Sequence, residues 1–387
     1  MKKLNSNISN VGGSASVSLM QKSAMLKASG AQVTDMAGGE PDFDTPYIIR
    51  KAAIESIEMG HTHYAVGKGI PQLREAIAHK LLVDNGIETC ADNVIVTPGA
   101  KYSVYMAVAA VVNPGDEVII LAPHWVSYIP IVKLCGGIPV IVNLDYEENY
   151  RISKEKIMDK ITDKTKLMII NYPNNPTGHI LHKDEGDVLK EIVSDTDIFV
   201  LSDEIYEKII FDGKKSISLG SIKEIADNVI TVNGFSKCTA MTGWRIGYVS
   251  ASTEVVGAMY KVFVHSITGV CTFIQEAAVE AFKCNEEIEK MALEYKRRRD
   301  YLVSELSGLD GIKIGEPEGT FYLWLCIDTD KSATEISAEL LEKYQICVVP
   351  GSAYGEEKGV YIRCCFATDN ETLKKFVEKF KKYLSNK

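Results

Sequence analysis

The sequence predicts an α/β protein in which a large domain, built on a mostly parallel seven-stranded sheet covered by helices, is joined to a smaller α+β domain. Three observations carry this. Short apolar runs at residues 94–97, 117–121, 139–143, 167–171, 198–201, 229–232 and 246–250 recur between stretches of helical pattern, as strands buried on both faces do. A chain of 387 residues is too long for one simple core. After Glu316 the pattern changes, with strand-like runs at 321–327, 346–349 and 360–364. We therefore expect residues 46–285 to form the large domain, 286–387 the small one, and 1–45 a segment that joins the small domain.

Composition narrows the function. With 46% hydrophobic and 25% charged residues the chain is an ordinary soluble globular protein. Its net charge of -9 argues against a nucleic-acid surface, while a local pair of basic residues still suits an acidic substrate. The longest apolar stretch, 104–112, is too short to span a bilayer, and no apolar run follows the lysines of Met1-Lys-Lys-Leu. The nine cysteines form no Cys-x-x-Cys pair, and Cys347, Cys364 and Cys365 lie in apolar surroundings. They read as reduced core residues, so the cytoplasm is expected.

Taken in order, residues 14–36 carry a helical pattern that ends at Gly38-Gly-Glu-Pro-Asp-Phe-Asp-Thr-Pro46, a loop by its breakers, with Asp42 and Asp44 as turn formers. A short helix follows over 46–58. His61-x-His63 lacks further ligands at metal spacing, so a surface turn and no metal are expected. The chemistry sits just after the apolar runs, where ligands gather in open parallel sheets. After 94–97, Gly99, Ala100 and Lys101 open a helix, whose unpaired N–H groups and dipole suit a phosphate. After 117–121 comes Trp125, placed to stack on a flat ring. After 167–171 comes Tyr172-Pro-Asn-Asn-Pro-Thr-Gly178, where Asn174 or Asn175 either forms a turn or offers an amide to a phenolate and a carboxylate. After 198–201, Asp203 emerges from an apolar strand and needs a cationic partner, with Tyr206 close behind.

After 229–232 comes Asn233-Gly-Phe-Ser-Lys-Cys-Thr-Ala-Met-Thr-Gly-Trp-Arg-Ile-Gly-Tyr248. Here Lys237 is an amine able to form an imine, flanked by the hydroxyl of Ser236 and the guanidinium of Arg245. Five strand ends thus deliver parts of one site. Further on, Lys296-Arg-Arg-Arg299 reads as a solvated helix face. Arg363 lies in an apolar strand, where a buried arginine needs an anion. Gly67-Lys-Gly-Ile-Pro-Gln72 lacks the third glycine of a dinucleotide fingerprint, which disfavours a nicotinamide dehydrogenase.

In these motifs and their order the whole chain resembles the class I (fold type I) aminotransferases, and Asn233–Tyr248 looks like that family's Schiff-base lysine segment. The resemblance implies pyridoxal 5'-phosphate as cofactor, carried by Lys237, with Asp203 at its ring nitrogen. Tyr206 and Asn175 are implied at its ring oxygen and Trp125 on its face, with Lys237, Asp203 and Tyr206 the catalytic set. Gly99, Ala100, Lys101, Ser236 and Arg245 would fix the phosphate. Tyr64, with Gly69-Ile-Pro-Gln-Leu-Arg-Glu75, resembles an interface segment whose tyrosine reaches the neighbouring subunit's phosphate, which implies a homodimer with shared active sites. Arg363 would anchor the substrate α-carboxylate, with Gly39 closing over it.

Within the family, the prokaryotic-type aspartate aminotransferases are resembled at Ser14-Ala-Ser16, Trp125 and Lys101. That implies Lys101 with Ser14 or Ser16 at the distal carboxylate, and transamination between L-aspartate and 2-oxoglutarate. His124 and Cys238-Thr239 depart from the family's commoner residues. Two alternatives stay open on the same scaffold: another substrate, such as an aromatic amino acid, alanine or prephenate, and a C–S β-lyase reaction.

Overall fold

The computed structural model describes residues 5–9, 11–13, 15–65, 67–355 and 358–386. Among them the strands are β1 (Thr34–Asp35), β2 (Val94–Thr97), β3 (Glu117–Ala122), β4 (Ile138–Asn143), β5 (Thr165–Asn171), β6 (Phe199–Asp203) and β7 (Val229–Gly234). They continue with β8 (Gly247–Ser250), β9 (Ile312–Ile314), β10 (Tyr322–Ile327), β11 (Ile346–Cys347), β12 (Val349–Pro350) and β13 (Val360–Cys365).

Seven of these form one sheet in the order β2-β8-β7-β6-β5-β3-β4, and they are the seven runs expected from the sequence. Every neighbouring pair is parallel except those made by β8, which runs against both β2 and β7. The strands are apolar throughout because both faces are covered. Val118, Ile120, Leu167, Ile169 and Leu201 join one core cluster, while their alternating neighbours Ile119, Leu121, Met168, Ile170 and Val200 join another, as the two-residue period of a strand requires. Helices Ala100–Val111 and Thr253–Ser266 contribute to the first cluster and Lys183–Thr196 to the second.

A four-stranded antiparallel sheet, β12-β13-β10-β9, carries the C-terminal third. Its core holds Phe321, Leu323, Ile362, Phe376 and Phe380, together with Leu302 and Leu306 of helix Asn285–Leu306. The stretch expected to be helical over 14–36 divides into a helix, Ala15–Ala28, and β1. β1 pairs in parallel with β11, and Cys365 N–H donates to Met36 O at 2.7 Å, so the N-terminal segment crosses to the C-terminal sheet. Cys347, Cys364 and Cys365 are buried, as expected.

Two expectations need correction. The single run 346–349 divides into β11 and β12, which serve different sheets. The basic run on helix Asn285–Leu306 is a solvated face only in its first half: Arg297 is exposed, but Arg298 and Arg299 are 6% and 1% exposed. Each finds acids distant in sequence, Asp42 for Arg298 and Asp212 for Arg299, which is how a charged residue becomes tolerable inside. Among the described residues no helix is long and apolar enough to cross a membrane.

Candidate active site

The carboxyl ends of β2, β3, β5, β6 and β7 open on one cavity of about 400 Å³, within the usual size of small-molecule sites. Because β8 is antiparallel, the residues just before it, Arg245 included, lie at the same edge. The C-terminal sheet closes the cavity from the other side with Tyr322 and Arg363, and Tyr354 lies beside them.

At one end are groups suited to an anion. Helix Ala100–Val111 begins after Gly99, whose φ is 86°. A Cβ at Gly99 would lie 2.6 Å from Arg245 Nη2, so only glycine lets the guanidinium approach the helix start, where the first-turn N–H groups have no intrahelical acceptor. Arg245 Nη1 donates to Thr242 O at 2.7 Å, and Ser236 is buried at the same wall. Lys101 lies at the rim with its Nζ 4.9 Å from the centre of the Trp125 ring. Partial burial and the charge of Arg245 hold its pKa below the ordinary lysine value.

In the middle, Asp203 is 4% exposed. The Tyr128 hydroxyl donates to its Oδ2 at 2.8 Å and the Ile205 N–H to its Oδ1 at 3.3 Å. Among the described residues no cation forms an ion pair with it, and burial pushes its pKa up to about 6 against those hydrogen bonds. Asn171 braces the neighbourhood: its Nδ2 donates to Asp203 O and its Oδ1 accepts from Asn175 N–H. Lys237 Nζ donates to Gly39 O at 2.6 Å, and burial pushes the ammonium pKa down to about 8. The Tyr206 and Tyr322 hydroxyls pair at 2.9 Å.

At the far end Arg363 is 5% exposed. Its Nη2 donates to Ala37 O and Gly38 O at 2.9 and 2.7 Å, and its Nη1 to Asn175 Oδ1 at 3.3 Å. Its guanidinium carbon stands 4.2 Å from the centre of the Tyr322 ring. Nε is buried without a partner, and no carboxylate among the described residues pairs with this arginine.

The structure thus brings Gly39, Ala100, Lys101, Trp125, Asn175, Asp203, Tyr206, Ser236, Lys237, Arg245 and Arg363 to one cavity, with Gly99 directly behind Arg245. Tyr64 is 89% exposed and does not line it. Ser14 lies outside the described residues, as does the side chain of Ser16. Tyr128, Asn171, Tyr322 and Tyr354 also line the cavity and were not foreseen. Asn171, as the last residue of a strand feeding the site, carried the same positional signal as its neighbours.

The departures are accounted for locally. Cys238 Sγ and Thr239 Oγ1 point back to Gly234 O and Phe235 O within the lysine loop and do not line the cavity. His124 is buried, which lowers its pKa, and its Nδ1 donates to Trp125 O at 2.9 Å.

Comparison with known proteins bears on the family and the fold. The family profile described as aminotransferase class I and II matches residues 31–380. A relative from Aquifex aeolicus (strain VF5), named probable aspartate/prephenate aminotransferase, is 38% identical over 99% of each chain. The chain belongs to the class I and II aminotransferase family. Members of this family depend on pyridoxal phosphate, and the seven-stranded sheet covered by helices, beside the smaller C-terminal sheet, is their fold type I. The aspartate aminotransferase of Bacillus sp. (strain YM-2) is 36% identical, covering 99% of this chain and 100% of its own. The solved aspartate aminotransferase from Thermus thermophilus with maleate shares the fold at a TM-score of 0.93 and 36% identity, over 99% of this chain and 100% of that one.

Proposed function

We propose that this aminotransferase binds pyridoxal 5'-phosphate and transfers the amino group of L-aspartate to 2-oxoglutarate, giving oxaloacetate and L-glutamate. One observation carries the reading: a single cavity holds a buried aspartate and a buried arginine, neither with an ion-pair partner among the described residues, together with a lysine amine. The residues present fit the cofactor. Asp203 suits a protonated ring nitrogen, whose charge would in turn favour the ionised carboxylate. The helix start at Ala100, with Ser236 and Arg245, suits a phosphate.

When bound, pyridoxal phosphate supplies a carbonyl that joins an amine and a ring that accepts the electron pair released when a C–H bond breaks. The chain's own residues supply the rest. Gly99, Ala100, Lys101, Ser236 and Arg245 would fix the phosphate. Asn175 and Tyr206 would donate to the ring oxygen, and Trp125 would cover the ring face. Lys237, with its pKa pushed down to about 8, keeps a usable fraction of neutral amine near neutral pH, so its Nζ would take the proton from the substrate's Cα and pass it to the cofactor carbon that keeps the amino group. Arg363 would grip the α-carboxylate with its fork, while the backbone of Gly38 and Gly39 excludes water above it. Lys101, with Ser14 or Ser16, would receive the distal carboxylate.

The same reading makes residues 46–285 the cofactor-binding domain, with 1–45 and 286–387 in the smaller one. It makes the protein a cytoplasmic homodimer in which Tyr64 of the partner subunit completes the phosphate site. Exposed Tyr47, Ile54, Ile57 and Met59, close to Tyr64 in the chain, support a buried interface there.

Product analysis with L-aspartate and 2-oxoglutarate tests the reading. Oxaloacetate and glutamate are expected; no glutamate from aspartate, with ammonia and pyruvate released instead from a thioether amino acid such as L-cystathionine, would overturn it in favour of elimination chemistry. Prephenate belongs in the same assay, because the Aquifex relative is named for it.

A further inference from the structure

The loop that covers the substrate end of the cavity is held from two directions. At its start, Ala37 O and Gly38 O take both contacts of Arg363 Nη2, so the position of this backbone decides where the arginine fork points. Further along, Asp42 Oδ1 accepts from Arg298 Nη1 at 2.8 Å. The Arg298 guanidinium carbon also stands 5.6 Å from the ring centres of both Phe43 and Tyr295, which pack edge to face. The same Nη1 reaches Phe366 O at 3.3 Å, just beyond the strand that carries Arg363. Glu294 Oε1 fixes the guanidinium from behind through Nε at 2.9 Å.

A buried guanidinium is costly to place and is retained where its geometry is used. Here it ties the covering loop and the Arg363 strand to one helix. We infer that Arg298 is a positioning residue for carboxylate recognition. Through Asp42 and Phe43 it sets the Gly38–Gly39 backbone over Arg363, and through Phe366 O it fixes the register of the Arg363 strand against that loop. Arg298 does not itself line the cavity, so its effect reaches the substrate only through the loop and Arg363. The inference rests on the reading of Arg363 as the carboxylate anchor.

Asp42→Asn and Arg298→Lys test it together, because Asp42 is partly exposed and its variant leaves the helix intact. In each, KM for L-aspartate and for 2-oxoglutarate should rise about tenfold, equivalent to about 1.4 kcal/mol, while kcat changes by less than about twofold. The double variant should raise KM no further than Arg298→Lys alone, since Asp42→Asn weakens only the Asp42–Arg298 pair that Arg298→Lys already disturbs. Pyridoxal phosphate affinity should stay constant, and hydrogen exchange should quicken at the amides of Gly38, Gly39, Glu40, Asp42 and Phe43 in both variants, and around Phe366 in Arg298→Lys alone. A lowered melting temperature with unchanged KM and unchanged loop exchange would reduce Arg298 to a packing role and overturn the inference. Arg363→Lys run alongside separates the two readings. If it raises KM while Asp42→Asn does not, only the present inference falls; if it leaves KM unchanged, the anchor reading falls and takes this one with it.

Discussion

Replacing Arg363 by lysine isolates the role of its fork from that of its charge. In the structure Nη2 is committed to Ala37 O and Gly38 O, Nη1 to Asn175 Oδ1, and Nε is buried with no partner. A lysine keeps the positive charge but has a single nitrogen, so it can hold the loop carbonyls or the incoming carboxylate and not both in this geometry. Losing one hydrogen bond to a charged group costs about 1.5–3 kcal/mol, so kcat/KM for L-aspartate should fall about 10- to 150-fold. Initial rates of oxaloacetate formation at varied aspartate measure it, and pyridoxal phosphate affinity measured separately should change far less, because the phosphate contacts lie at the other end of the cavity and Arg363 touches the cofactor's residues only through Asn175. A kcat/KM within about twofold of the unsubstituted enzyme would refute the assignment, since a hydrogen bond between charged groups is worth more than that.

Asp203→Asn removes the carboxylate that would face the ring nitrogen while leaving an amide that Tyr128 can still bond. Removing one partner of a buried charge pair costs about 3–5 kcal/mol, so single-turnover rates with aspartate should fall about 10²- to 10⁴-fold, and a near-normal rate would contradict the pairing. Glu204 is buried between the Ser202 and Ser218 hydroxyls, and burial pushes its pKa up to about 7. Its folded value exceeds its unfolded one, so its contribution to stability is fully present below the ordinary carboxyl range and is lost as pH rises through about 7. Urea midpoints measured from about pH 5 to 8 should therefore decline less in Glu204→Gln than in the parent protein, and equal slopes would count against this. Lys101→Gln should raise KM for aspartate by up to about fivefold, the scale of an exposed ion pair, and leave KM for alanine unchanged; equal effects on both would confine Lys101 to the phosphate.

The large sheet was legible because its strands are buried on both faces, so each appears as an apolar run, and the parallel order puts functional residues in one predictable place after it. Asp203 and Lys237 could be found that way, whereas the choice of Asn175 over Asn174 came from the family resemblance. The small sheet was harder to read. β1 and β11 have two residues each, too few for any pattern, and their pairing joins Thr34 to Ile346, a contact set by tertiary packing. Burial of Arg298 depends on Asp42, which is equally remote in sequence, so a run of basic residues looked solvated. Tyr128, Tyr322 and Tyr354 resemble ordinary core aromatics. Only the fold shows that their hydroxyls or ring faces border the Asp203 and Arg363 sites.

Lys237 is the residue on which the placement of the cofactor depends. Protein loaded with pyridoxal phosphate, reduced with borohydride and digested, should carry the cofactor's mass as a stable addition on the peptide containing Lys237 and on no other. Recovery of that addition on Lys101 or another lysine, or its absence from an enzyme that still transaminates, would contradict the placement of the cofactor and the mechanism built around it.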